Sequence, residues 1–332
     1  MTGACTRCGS ELAPGLLACP GCRRLVHAEE LAALNTAAEQ AHAADGKLEA
    51  LTKWRRALEL LPPGSRQHEI LVARVAELAA TVDEPQKPAT TPTGRWRWLG
   101  WLGPIALLLV TKGKFLLLGL TKTGTLLTML ASMGLYWAAW RWQFALGLVA
   151  SIYVHEMGHV AALRRYGIAA TAPMFVPGLG AFIRAKQYPT SAYEDARVGL
   201  AGPIWGTGAA LLCYALAHLQ GGGAFAALAH AGAILNLFNL IPLGSLDGGR
   251  GFRALSQADR LVTTVVIGAL WLGTSEGMLL LVAAGGLLRS LGSGAPRSSD
   301  SGILLRFLAL VVILSGLSLD VSSRWPSIHG VK

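Results

Sequence analysis

The hydrophobic pattern of the chain changes its character near residue 95. Before that point, apolar residues recur at helical spacing and charged residues fill the positions between them, as in water-exposed amphipathic helices. After it, apolar residues come in long uninterrupted runs, as in helices that cross a membrane. The pattern therefore predicts an α-class protein in which a small soluble head precedes a polytopic helical membrane bundle.

The head contains two apolar stripes, which predict a helical hairpin over residues 28–61. Their members are Leu31, Leu34, Ala38 and Ala41 in the first helix, and Ala50, Trp54 and Ala57 in the second. The second stripe, followed by Pro62, has the spacing of a tetratricopeptide-like repeat. A further amphipathic helix is predicted at 67–81. A single repeat cannot form a solenoid, so this part is either a small helical hairpin or a docking site for a protein partner.

The apolar runs after the head predict about six membrane spans. They lie in Thr123–Trp140, in Trp142–Leu163, in Val198–Leu246 with a turn at Gly221-Gly222-Gly223, in Leu261–Leu288, and in a last run that ends at Leu319. Ser275-Glu276 divides the fourth run into a short hairpin. The earlier segment Trp98–Leu120 contains two lysines, and we interpret it as interfacial or re-entrant.

Composition and charge agree with this division. Of 332 residues, 52% are hydrophobic and 14% are charged, whereas soluble domains carry about 25% charged residues. Residues 1–95 hold 11 basic and 11 acidic side chains, and the remaining 18 basic and 8 acidic side chains follow. The net charge of +10 thus lies in the apolar part, which favours a lipid bilayer with the positive-inside bias over nucleic acid as the partner.

Four cysteines near the start of the chain have the spacing C-x2-C-x10-C-x2-C. They are Cys5, Cys8, Cys19 and Cys22. Two C-x2-C turns can converge four thiolates on a structural zinc ion, and two disulfides or a redox pair are the alternatives. Zinc-bound thiolates need a reducing compartment, and the first residues lack the apolar core of a secretion signal. We therefore expect the head to lie in the cytosol.

The second predicted span carries the sequence H-E-M-G-H at residues 155–159. Because residues four apart share a helix face, His155 and His159 can bind one metal ion, with Glu156 beside them as a general base. The alternative is a pair of structural histidines in the helix core. An ionised glutamate within a membrane span is costly, which favours the functional interpretation.

A third ligand is predicted in the segment N-L-I-P-L-G-S-L-D-G-G-R at the end of a long uncharged run. Pro242 and Gly244 interrupt the helix there, and a broken helix can present the carboxylate of Asp247 at membrane depth. The alternative is that Asp247 caps a helix in a cytosolic turn. Two imidazoles and one carboxylate would leave an open position for water, as catalytic zinc sites require.

The two motifs together, with Ala201-Gly202-Pro203 between them, resemble the site-2 protease family of intramembrane metalloproteases. The resemblance covers roughly residues 122–290. It implies zinc held by His155, His159 and Asp247, with Glu156 as general base and acid. It also implies an active-site role for Asn239, which matches the asparagine of the family's N-x-x-P motif and would steady the substrate carbonyl or oxyanion.

Residues 175–185 alternate small and apolar side chains around glycines. We interpret them either as a re-entrant hairpin, whose edge could pair with an unwound substrate strand, or as an ordinary membrane-surface loop.

The sequence therefore predicts four parts: a zinc ribbon (1–26), a tetratricopeptide-like helical hairpin (27–83), a linker (84–95) and a membrane-embedded metalloprotease domain (96–332). The expected function is zinc-dependent cleavage of transmembrane protein substrates in a bacterial cell membrane, with one catalytic and one structural zinc ion. A catalytically silent membrane adaptor and a metal-ion transporter are the alternatives.

Overall fold

The computed structural model describes residues 3–82 and 122–326. Over this part the chain forms eleven α-helices and two small antiparallel β-hairpins, which confirms the predicted helical membrane fold with a small head. The helices are α1 (Ala28–Ala43), α2 (Lys47–Glu59), α3 (Arg66–Thr81), α4 (Thr123–Ala139), α5 (Trp142–Arg165), α6 (Ala192–Gln220), α7 (Ala224–Asn239), α8 (Asp247–Phe252), α9 (Gln257–Thr274), α10 (Gly277–Leu291) and α11 (Ser301–Arg324). The strands are β1 (Gly3–Ala4), β2 (Glu11–Leu12), β3 (Met174–Val176) and β4 (Gly180–Phe182).

The described residues divide into two compact units. Unit 1 contains the residues up to 82 together with Leu163–Ala169 and Lys186–Glu194, and unit 2 contains the rest. The four-part division of the chain stays a prediction. The predicted linker at 84–95 and the segment at 98–120 lie outside the described residues.

Unit 1 begins with the cysteine-bearing turns and continues into α1, α2 and α3. The short strands β1 and β2 pair with each other, and the helices then bury a core around Trp54 of α2. The indole N–H of Trp54 donates a hydrogen bond to the Asn35 side chain at 3.2 Å, and the Arg74 guanidinium lies 4.5 Å from the ring centroid. The buried positions Ala38, Ala50 and Ala57 belong to the predicted stripes.

Unit 2 contains the apolar helices. Among the described helices, α5, α6 and α11 are long and apolar enough to cross a membrane, and α7 and α10 are apolar but shorter. The count of about six spans stays a prediction. The last helix continues to Arg324, five residues beyond Leu319, the predicted end of its apolar run. This final part is polar but still helical.

Two turns between these helices lie at the positions that the sequence predicts. Gly221, Gly222 and Gly223 all have positive φ angles, which residues with a Cβ rarely adopt, and they reverse the chain between α6 and α7. The hairpin of α9 and α10 turns at Ser275, which adopts a left-handed conformation.

The segment 175–185, interpreted from the sequence as a re-entrant hairpin or a membrane-surface loop, lies largely in the antiparallel hairpin of β3 and β4. Met174 pairs with Phe182, and Val176 pairs with Gly180. Strand β3 is held against α4, because Phe175 donates its N–H to the Thr128 hydroxyl at 3.2 Å.

Candidate metal centre and active site

Helix α5 places His155 and His159 one turn apart on the same buried face. Their Nε2 atoms lie 3.2 Å from each other, and the residues are 6% and 5% exposed. The rings meet edge to face with centroids 5.0 Å apart. Both imidazoles thus direct one nitrogen toward a common point.

Asp247 reaches the same point from the first turn of α8. Its Oδ2 lies 3.1 Å from Nε2 of His155, and its Oδ1 lies 3.3 Å from Nε2 of His159. The N-cap of α8 is Leu246. The Asp247 carboxylate therefore faces the histidines and does not act as the helix cap considered from the sequence.

The start of α8 comes this close because residue 248 is glycine. A Cβ at Gly248 would lie 1.9 Å from the carbonyl oxygen of Leu240, at the end of α7. Real Cβ contacts are never that short, so any side chain there would force α8 away from the end of α7 and displace the Asp247 carboxylate. The Gly248-Gly249 pair thus helps to position the Asp247 carboxylate.

The separations of the three ligand atoms fit a tetrahedral zinc ion. Zinc bonds of about 2.0–2.1 Å to nitrogen and oxygen place tetrahedral ligand atoms about 3.3 Å apart. The observed separations are 3.1, 3.2 and 3.3 Å. A Cβ built on Gly202 of α6 would lie 2.2 Å from Nε2 of His159 and 2.6 Å from Nε2 of His155, which is close to a metal–ligand distance. Glycine at 202 therefore leaves open the space that an ion would fill.

The second nitrogen of each ring has a protein acceptor. Nδ1 of His155 lies 2.9 Å from Oδ1 of Asn236, and Nδ1 of His159 lies 2.8 Å from the carbonyl oxygen of Val198. The Asn236 amide nitrogen donates to the carbonyl of Gly232 at 2.7 Å, which assigns its oxygen as the acceptor. Both Nδ1 atoms are thus donors, and both Nε2 lone pairs are free to bind a metal.

Sequence reasoning missed both of these acceptors. A backbone carbonyl such as that of Val198 leaves no trace in the sequence. Asn236 does leave one, since it is a polar residue within the apolar helix α7, but the family motif matches Asn239 and not Asn236. A Cβ at Gly206 of α6 would lie 2.2 Å from Oδ1 of Asn236, so the two helices must approach closely for the contact with His155 to form.

Glu156 and Asn239 line one cavity with the three ligand residues. The cavity has a volume of about 380 Å³ and is also lined by Gly180, Ala181 and Phe182 of strand β4. Glu156 is 8% exposed, whereas Asn239 at the end of α7 is half-buried. Every residue predicted for the catalytic site thus lies at one cavity of unit 2.

The four cysteines of unit 1 form a separate cluster. The Sγ atoms of Cys5 and Cys22 lie 3.7 Å apart, and those of Cys8 and Cys19 lie 3.5 Å apart. Zinc–sulfur bonds of about 2.3 Å give tetrahedral separations of about 3.8 Å. All four are free thiols rather than disulfides, and hydrogen bonds from the Ser10 side chain and backbone lower the pKa of the Cys8 thiol to about 6. The sulfur separations suit a metal ion bound by the four cysteines.

Replacing Gly202 with alanine is expected to remove one zinc ion from the chain, because the new methyl group would occupy the space between the two histidines. Zinc per chain in the purified full-length protein measures the effect. Gly208→Ala is the matched control, since it lies on the same helix and a Cβ there meets nothing within 4 Å. Equal zinc content in the two variants would contradict the proposed position of the ion.

Replacing Asn236 with alanine is expected to weaken zinc binding at the histidine site about 10- to 100-fold, as is typical when a ligand histidine loses its hydrogen-bond acceptor. Competition with a chelator measures the affinity. Asn236→Asp restores an acceptor and should bind zinc more tightly than Asn236→Ala. Wild-type affinity in the alanine variant would show that the contact with His155 has no role in orienting the ring.

Residues 143–231 match the model of peptidase family M50. The matched segment contains α5, with His155, Glu156 and His159, and it extends into α7. No curated protein and no solved structure matches the chain. The match confirms the resemblance to the site-2 protease family over residues 143–231, which contain the H-E-M-G-H motif and match peptidase family M50, whereas the L-D-G-G motif lies beyond the matched segment.

Proposed function

We propose that the protein is a zinc-dependent intramembrane endopeptidase. The observation that carries the proposal is the convergence of His155, His159 and Asp247 beside Glu156, on a helix apolar and long enough to cross a membrane. The match to peptidase family M50 supports this chemistry. A structural pair of histidines would need neither the third ligand nor the neighbouring carboxylate.

The residues of the cavity have distinct roles in the proposed reaction. His155, His159 and Asp247 would hold zinc, which lowers the pKa of a bound water to about 7 and polarises a carbonyl group. Glu156 takes a proton from the attacking water as its oxygen bonds to the peptide carbon. The same carboxyl group then gives this proton to the leaving nitrogen as the C–N bond breaks. Asn239 donates a hydrogen bond to the carbonyl oxygen as negative charge develops there.

We propose a transmembrane helix as the substrate. The carbonyls of a helix are engaged in backbone hydrogen bonds, so the segment must unwind before Glu156 and water can act on it. Strand β4 lines the cavity, whereas β3 is fixed against α4 by the contact with Thr128. An unwound substrate strand could therefore pair with β4, which would satisfy the backbone groups that unwinding exposes.

We further propose a bacterial cell membrane with the head in the cytosol. On the predicted topology, 15 of the 18 basic residues after position 95 face the cytosol, and Arg141, Arg324 and Lys332 do not. Arg164 and Arg165, at the end of α5, would then lie at the cytosolic surface, only a few residues beyond His159. This placement gives water a short path to the site. A protein partner of the head would act from the same side.

The alternative is a silent membrane adaptor of the same fold that acts through its head. An adaptor has no need of a base, so the presence of Glu156 at the cavity favours the enzyme. A metal-ion transporter is also disfavoured, because three buried ligands at tetrahedral spacing would hold an ion too tightly for rapid release.

Glu156→Gln is expected to lower the cleavage rate by about 10²- to 10⁴-fold, because the amide cannot accept the proton of water, while zinc content stays unchanged. The inactive full-length variant serves to trap transmembrane proteins from cell membranes, and the trapped proteins are then offered to the wild-type enzyme. Glu77→Gln, an exposed position on α3, is the control. Cleavage at the wild-type rate by Glu156→Gln would refute the proposed mechanism.

A further inference from the structure

The most buried ion pair among the described residues of unit 1 joins side chains that are 139 positions apart in the chain. Arg55 of α2 hydrogen-bonds to Glu194, in the first turn of α6, and the two side chains are 2% and 1% exposed. Exposed ion pairs contribute little to stability, but a buried pair leaves an uncompensated charge when either partner is removed. This contact therefore strongly constrains the position of α2 relative to the first turn of α6.

Arg55 also contacts the end of α5. Its Nε donates to the carbonyl oxygen of Tyr166 at 2.8 Å, one residue after the helix ends. Gly167, with a φ angle of +71°, packs so tightly on α2 that a Cβ would lie 3.0 Å from the Thr52 hydroxyl. One guanidinium in the head thus bridges the end of α5 and the start of α6.

The carboxylate of Glu194 is fully engaged at this point. Its Oε1 accepts from Arg55, and its Oε2 accepts from both the N–H and the hydroxyl of Thr190, at 2.7 and 3.0 Å. Its own N–H donates to the Ser191 hydroxyl at 3.2 Å. The loop before α6 and the first turn of that helix are consequently fixed as one piece.

The next residue along α6 is bonded to the helix that carries the third metal ligand. Within unit 2, Asp195 accepts from Nε of Arg250 at 2.8 Å and from Arg253 at 2.7 Å. Arg250 lies on α8, three positions after Asp247, and lines the catalytic cavity. The first turn of α6 thus contains two adjacent carboxylates, one bound by the head and one bound by α8.

We propose that Arg55 is a positioning residue for the catalytic site, an inference that rests on the proposed function. Helix α5 carries the ligands His155 and His159, and α6 carries the Val198 carbonyl that orients His159. Both are continuous helices, so fixing the end of one and the start of the other limits how the ligands can shift. The head would then affect the catalytic site, because a partner that displaces α2 would loosen the metal site.

The test uses the full-length protein and two readouts. The first is the rate of zinc release to a chelator from the histidine site, identified as the release phase that Asp247→Ala lacks. The second is kcat and KM for a substrate that the wild type cleaves. Arg55→Met removes the charge. Arg56→Met is the matched control, since the Arg56 side chain is 54% exposed and pairs with surface glutamates.

We expect Arg55→Met to release zinc from the histidine site about tenfold faster or more and to lower kcat about tenfold, with KM changed less than about twofold. Arg56→Met should match the wild type in both readouts. Arg55→Lys keeps the charge opposite Glu194 but replaces the planar fork that also reaches Tyr166, so it should recover part of the loss. If Arg55→Met does not fold, Arg55→Lys is compared with Arg56→Met in its place.

Wild-type zinc release and kcat in folded Arg55→Met, with only a lower melting temperature, would overturn the inference and leave the ion pair with a purely structural role. That result is distinct from failure of the proposed function, which would show as a wild-type protein that holds no zinc at the histidine site or cleaves nothing. A loss of kcat and of zinc retention confined to the Arg55 variants supports the positioning role.

Discussion

The structure of unit 2 depends on holding a set of polar side chains in fixed relative positions inside an apolar helix bundle. In such surroundings an unpaired polar atom costs several kcal/mol, so each ring nitrogen of the two histidines needs a partner. The Nδ1 atoms have partners on two different helices, Asn236 of α7 and the Val198 carbonyl of α6. The Nε2 atoms both face Asp247 across the space that a metal ion would fill. The hydrogen bonds that orient the rings therefore also lock α5, α6 and α7 together around the site.

These contacts require backbones that approach closely, and glycine provides the space. A Cβ at Gly158 of α5 would lie 2.4 Å from the Ala201 carbonyl of α6, and Gly206 meets Asn236 in the same way. Small residues let helices pack tightly where no hydrophobic effect drives them together. The break between α7 and α8 serves a different purpose, because it places the Asp247 carboxylate beside the two histidines. The packing of the helices and the geometry of the metal site thus depend on the same few residues.

Much of this arrangement could be predicted from the sequence, because it depends on local spacing. The histidines four residues apart, the three-glycine turn before α7 and the break that frees Asp247 all come from short motifs. The acceptors of the histidine Nδ1 atoms could not be predicted, since Val198 and Asn236 lie 39 and 81 residues from their partners. The same holds for Arg55 and Glu194, which lie 139 residues apart. Local patterns identify ligands, whereas the contacts that orient them depend on how distant helices pack.

We propose that one chain holds two chemically different zinc ions, one on four thiolates and one on His155, His159 and Asp247. X-ray absorption at the zinc edge of the purified full-length protein tests it most directly. We expect about two zinc ions per chain, a sulfur shell at about 2.3 Å and a nitrogen and oxygen shell at about 2.0–2.1 Å. Asp247→Ala should lose most of the second shell and keep the first. A spectrum with a sulfur shell alone, at one zinc ion per chain, would contradict the account.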